Sequence, residues 1–276
     1  MAEYVKYDGD PIPVLTVRNA RSLYNLPDDE IDRMRCDTRF VEEGEFGNCL
    51  EPGGFHGTDF MASGMRKLST AEQKEEAEFA ERERSSIYCL FKDNKVPCKN
   101  QNGHGYCWNY GVVSAFEGAW LAAGREYVEL DAHSGAAAVK RGRDQGGWGS
   151  DGLEYAEKHG IVPRSHWPKH SRDYKLWNNP EIAAEAAKYK PLEWVNIQPG
   201  DMEALASLEV TGNPCGMGLM WWGHLIVFAS LKFDSRFGRL HLTRNSHGPN
   251  FGNDGWCFMT DDVARHGGGS TVRVAA

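Results

Sequence analysis

The sequence of 276 residues contains no run approaching the roughly 20 consecutive apolar residues of a membrane helix, so no membrane span is expected. Its first residues, Met1-Ala2-Glu3-Tyr4-Val5-Lys6-Tyr7-Asp8, lack the apolar stretch of a secretory signal. The expected setting is a reducing cytoplasm or the inside of a particle. There is no Cys-x-x-Cys pair, and the seven cysteines (36, 49, 89, 98, 107, 215 and 257) stand singly. Neither a zinc site nor a disulfide framework is expected from that spacing, and no cofactor is implied. Positive charge is also short. Lys and Arg number 31 against 39 Asp and Glu, a net charge of −8, which leaves no broad cationic face for a phosphate backbone. Nucleic-acid binding is therefore not expected. What is present is globular composition, 41% apolar and 25% charged, in a length that suits one large domain or two lobes sharing a core.

No internal repeat or low-complexity tract interrupts the chain. Residues 1–65 are rich in turn signals, such as Asp8-Gly9-Asp10-Pro11 and Glu51-Pro52-Gly53-Gly54, with one helix expected near Pro27–Arg35. Ser69 or Thr70 can cap a helix running to about Arg84 that is charged nearly all round. It reads either as a solvated face or as an arm or pro-segment lying on another surface. From residue 85 the texture changes. Apolar side chains at Trp108, Val112, Ala115, Phe116 and Ala119 recur at helical spacing, which predicts a buried helix over 107–123 closed by Gly124. Shorter helices are expected at Gly152–His159 and Glu181–Lys188. After Pro191 the pattern turns to strands, Met217–Met220, Leu225–Phe233, Arg239–Arg244 and Trp256–Thr260. Helices first and an antiparallel sheet later make an α+β arrangement.

Chemistry concentrates at Cys107, the first residue of the buried helix. A helix N-terminus carries partial positive charge and unsatisfied N–H groups, which favour a thiolate over a thiol. The approach, Lys99-Asn100-Gln101-Asn102-Gly103-His104-Gly105-Tyr106, is a glycine-bearing loop that lets backbone come close to a ligand. A nucleophilic cysteine needs an imidazole partner, and that partner needs a third group to orient it. His224, opening the apolar strand Leu225-Ile226-Val227-Phe228, is the candidate base. Asn245, at the end of the next strand, is the candidate orienter.

Taken together, these motifs resemble the papain-like cysteine peptidases over about residues 85–270. Lys99-Asn100-Gln101 followed by Cys107-Trp108 is similar to that family's oxyanion glutamine and nucleophile segment. Gly146-Gly147-Trp148 resembles the glycine pair beside its substrate cleft, Gly223-His224 its histidine segment, and Asn245-Ser246-x-Gly248 its asparagine segment. The resemblance implies a two-lobed α+β fold, with a helical lobe over about 100–185 and a β lobe over about 190–276, preceded by an extension over residues 1–84. It also implies catalysis by Cys107, His224 and Asn245, with Gln101 and the Cys107 N–H binding the oxyanion. Gly146 and Gly147 would offer backbone groups to an extended peptide, and Trp148 and Trp222 would wall an apolar pocket. The acidic chain modestly favours basic or neutral peptides.

Three departures stand out. His247 occupies the position after Ser246 where the family carries a tryptophan shielding the histidine–asparagine bond, so a wetter bond and a competing second imidazole are expected. His104 stands where the family has a disulfide cysteine, and Asp144 stands near its usual partner, so no disulfide is expected. Residues 1–84 have the length of a pro-segment without its helical signature. Two functions follow as expectations: a thiol peptidase acting on a peptide or protein substrate, or a virion-type assembly component that keeps the fold with weak or no activity and meets homo- or hetero-oligomeric partners through residues 1–84. Transglutaminase-type acyl transfer shares Cys-Trp and a histidine, but the Gln101-to-Cys107 spacing and an asparagine at 245 disfavour it.

Overall fold

The computed structural model describes residues 3–19 and 57–274, and the helix expected near Pro27–Arg35 lies outside them. Strands β1 (Glu3–Tyr7) and β2 (Asp10–Leu15) form a hairpin. Its two-residue turn, Asp8-Gly9, has φ of 47° and 84°, the left-handed pair that matches the twist of the flanking strands. A short strand β3 (Thr58–Asp59) follows. Helix α1 (Thr70–Arg82) begins with a capping box, in which Ser69 accepts from the Glu72 N–H while the Glu72 carboxylate accepts from Ser69.

The helical lobe comprises α2 (Ile87–Asp93), α3 (Cys107–Ala122), α4 (Ala132–Lys140), α5 (Gly149–His159) and α6 (Pro180–Ala186). The β lobe carries β4 (Glu193–Ile197), α7 (Met202–Val210), β5 (Cys215–Leu219), β6 (His224–Asp234), β7 (Gly238–Arg244), β8 (Trp256–Thr260) and β9 (Gly269–Arg273). The nine strands among the described residues form one sheet in the order β1-β2-β8-β7-β6-β5-β9-β4-β3. Most neighbours run antiparallel, but β2 lies parallel to β8 and β3 parallel to β4. The sheet is thus mixed at both ends, where strands from before residue 84 extend it.

Helix α1 keeps its charged faces in water and rests on the β lobe through Gln73 and Ala77. Gln73 donates to Glu203 of α7, Arg239 of β7 donates to Gln73, and Lys232 of β6 pairs with Glu81 at 2.6 Å. The described parts of residues 1–84 are therefore bonded into the sheet and its outer face.

Helix α3 is buried along nearly its whole length and packs against α2, α4, α5, β5, β6 and β9. Its approach to β6 is close enough to need glycine. A Cβ on Gly111 would fall 2.0 Å from Leu225 Cδ2. Gly111 lies one turn after Cys107 on the same face, and Leu225 follows His224. Packing of the two lobes thus carries the start of α3 against the start of β6.

Candidate active site

Cys107 is the first residue of α3, and its N-cap, Tyr106, provides no side-chain acceptor to the first turn. The first-turn amides keep their positive end for an anion. The loop before Cys107 is tied at its base by a buried ion pair. Lys99 Nζ lies 2.8 Å from Glu117 Oε1 and donates to the Leu130 carbonyl at 2.8 Å, while Leu130 N–H donates to the same carboxylate oxygen. Burial pushes the Glu117 carboxyl up and the Lys99 ammonium pulls it back. Sequence reading passed over this pair. An acid inside the otherwise apolar run of α3, ten residues after Cys107, was the available signal.

The structure brings His224 and Asn245 together. His224 Nε2–H donates to Asn245 Oδ1 at 2.7 Å, and Ser246 N–H donates to the same oxygen at 2.7 Å. With Oδ1 so engaged, the Asn245 amide turns its Nδ2–H toward His247 Nδ1, at 3.3 Å. His247 accepts that bond and so is neutral. Its own burial, then the neighbouring His224, pull it down to about 3. His247 is thus held neutral as a hydrogen-bond acceptor of Asn245.

The expectation of a wet histidine–asparagine bond is not met. His224 is 5% exposed and Asn245 3%. The cover comes from Trp222, whose ring lies 4.9 Å from that of His224 and stacks on Trp221. His247 lies 4.6 Å from His224, and Phe251 closes over Trp222 at 5.9 Å. An aromatic box assembled from several positions shields what one tryptophan would.

Gln101 is buried beside the asparagine segment. Ser246 Oγ donates to Gln101 Oε1 at 2.6 Å, and Gln101 Nε2 donates to the His104 carbonyl at 2.8 Å. An amide nitrogen carries two hydrogens, so one donor remains for a ligand. Ser246, which sequence reading did not single out, is the residue that holds the Gln101 amide oxygen. The loop is tied to the segment before the glycine pair by Asp144, whose carboxylate accepts from the Gly105 N–H at 2.7 Å. The five described cysteines, 89, 98, 107, 215 and 257, are all outside disulfides, and the other two fall beyond the described residues.

Gly147 is buried, and a Cβ there would lie 2.7 Å from both Trp108 and Lys140. The segment Gly146-Gly147-Trp148 can run this close to the helix of Cys107 only without that side chain. Trp148 is half-buried and occupies the N-cap position of α5 without a side-chain cap bond. No group of three His, Cys, Asp or Glu among the described residues is placed to hold a metal ion, and no described helix is long and apolar enough to cross a membrane.

Among solved structures, procathepsin L 3 of the larval midgut of Tenebrio molitor aligns with a TM-score of 0.55 at 18% identity, over 67% of this chain and 68% of that one. The chain has the papain-like fold. Xylellain, a cysteine protease of Xylella fastidiosa, aligns at 0.52 and 16% identity over 65% of this chain and 83% of its own. A recombinant stem bromelain precursor aligns at 0.55 and 15% identity over 67% and 70%. No protein-family model matches the sequence. Papain-like architecture is thus held by a sequence in which few side chains coincide, and what it does rests on the site.

Proposed function

We propose that the protein is a thiol peptidase that cleaves peptide bonds through an acyl-enzyme on Cys107. The Cys107 thiolate attacks the scissile carbonyl carbon. As the C–S bond forms, the carbonyl π pair moves to oxygen, where the Cys107 N–H and the remaining Gln101 Nε2–H receive it. His224 uses Nε2 to hold Asn245, so Nδ1 is the nitrogen that exchanges protons. It gives its proton to the leaving amine as the C–N bond breaks. It then takes one from the water that attacks the thioester carbon, and the C–S bond breaks to release the acid and return the Cys107 thiolate. The backbone at Gly146 and Gly147 would pair with an extended substrate, with Trp148 and Trp222 walling its neighbouring subsite.

The observation that carries this reading is the ordered chain His224–Asn245–Ser246–Gln101. One segment, 245–246, orients both the base and the oxyanion amide, through bonds of 2.7 Å and 2.6 Å. A fold kept only for assembly has no need of that coupling. Reaction with an epoxide-type thiol inhibitor followed by peptide mass spectrometry tests the reading. One adduct, on Cys107, is expected; adducts spread over several cysteines, or none, would refute it.

A further inference from the structure

Behind the Gln101 loop stand three imidazoles that the reaction above does not use. The ring centroids of His104, His133 and His170 are separated by 4.9, 5.1 and 6.4 Å. Each ring is bonded to the loop or to its support. His170 Nε2–H donates to the Asn100 carbonyl at 3.0 Å. Tyr110 O–H donates to the same carbonyl at 3.3 Å and accepts from His133 Nδ1 at 2.5 Å. His104 Nδ1–H donates to the Gln101 carbonyl at 3.1 Å. His133 is fully buried and its Nε2 has no partner, so burial pulls its pKa down to about 3 and it is neutral.

The Asn100 carbonyl matters because it shares a peptide unit with the Gln101 N–H. That N–H donates to the Ser246 carbonyl at 2.8 Å. The plane leading into Gln101 is therefore held by its oxygen from the helical lobe and by its hydrogen from the β lobe. Release the oxygen and the plane can rock about the Ser246 bond, swinging the Gln101 amide away from the position of a developing oxyanion. His170 adopts φ of +55°, a left-handed backbone that non-glycine residues seldom take, and it makes its reach to Asn100 from there.

We propose that His170 and the Tyr110–His133 pair are positioning residues for the oxyanion amide of Gln101. They clamp the Asn100–Gln101 peptide from the helical side. The inference rests on the peptidase reading, with Gln101 as oxyanion donor. Misplacing a catalytic group by about an ångström can cost up to roughly a hundredfold in rate, and removing an oxyanion donor costs about a hundredfold to a thousandfold. A loosened clamp should fall below both.

The test is a double-mutant cycle on the full chain with a fluorogenic peptide. His170→Ala should lower kcat about tenfold and leave KM within about twofold. His170→Gln, which retains an N–H donor, should recover most of that loss. Tyr110→Phe should lower kcat in the same direction by a smaller factor. In a Gln101→Ala background, His170→Ala should cost nothing further. Equal losses in both backgrounds, an unchanged kcat in His170→Ala, or no recovery in His170→Gln would overturn the proposal. Iodoacetamide labelling of wild-type Cys107 at pH 5–6 separates the two levels of the account. Labelling with turnover, but an additive cycle, removes only the clamp. Neither labelling nor turnover removes the peptidase reading itself, and the clamp falls with it.

Discussion

Two buried histidines on neighbouring strands of one sheet do opposite things. His224 opens β6 and bonds a neutral amide, Asn245, under an aromatic cover. His241, in the middle of β7, is fully buried and bonds two carboxylates, Glu209 at 2.6 Å and Asp261 at 2.9 Å. Burial alone would pull the His241 pKa down, but the Glu209 charge and the Asp261 hydrogen bond override it and raise the imidazole to about 9. Asp261, also bonded by Arg239, is held down at about 2. The contrast is one of partner chemistry. A carboxylate pair fixes a proton on its histidine, and that suits a structural ion cluster. An amide orients its histidine without anchoring the proton, which suits the cycling base proposed for His224.

Exchanging which histidine is removed breaks this comparison most directly. His224→Ala should reduce kcat by about 10⁴-fold or more while the melting temperature moves little, since no buried charge is stranded. His241→Ala should do the reverse. It leaves Glu209 buried without its cation and should cost about 3–5 kcal/mol of stability, with the kcat of the folded fraction unchanged. Kinetics and denaturant unfolding on the same two preparations measure both. Gln101→Ala comes next, with an expected loss of about 10²- to 10³-fold in kcat at nearly constant KM.

The pH dependence of stability sharpens the contrast further. The folded-state pKa of His241 lies above its ordinary value, so its contribution is complete below about pH 6.5 and is lost as pH rises through about 9. Unfolding midpoints should therefore fall between pH 6.5 and 9, and His241→Gln should flatten that fall. A slope that persists in the variant would place the titrating group elsewhere. The smallest effect is expected at His247. His247→Phe keeps the aromatic cover and removes the acceptor of the Asn245 N–H, so kcat should fall only a few-fold. A loss comparable to that of His224→Ala would mean that the second imidazole is itself the base.

Much of the site was legible because its chemistry is local in sequence. Gln101 and Cys107 share one loop, and His224 and Asn245 sit at the ends of neighbouring strands, so spacing with the family resemblance made them candidates. Helix α3 and strands β6 to β8 were visible through their apolar periodicity. The hairpin β1–β2 was not, because Pro11 and Pro13 argue against a strand inside a sheet. The structure resolves the conflict by register. Pro11 and Pro13 lie opposite Lys6 and Tyr4 of β1, and β2 joins β8 only beyond them, at Val14 and Leu15. Helix α4, Ala-His-Ser-Gly-Ala-Ala-Ala-Val-Lys, has no large apolar side chain before Val139 to mark its buried face, although Asp131 capping the Ser134 N–H at 2.8 Å was a readable start. The clamp of Tyr110, His133 and His170 on Asn100 joins four distant positions, and no one-dimensional pattern reports such a meeting. The shielding of His224 was misjudged for the same reason. A missing tryptophan at 247 is visible in sequence, whereas its replacement by Trp222 and Phe251 is a fact of packing.

The central claim is that Cys107 at the head of α3 is a thiolate partnered by His224, and its alkylation profile tests this most directly. Iodoacetamide modification of Cys107, followed by peptide mass spectrometry from pH 4 to 10, should persist at pH 5–6 in the wild-type protein. In His224→Ala the midpoint should move upward, toward the ~8.5 of an ordinary thiol. A wild-type midpoint already near ~8.5, unchanged by His224→Ala, would contradict the account.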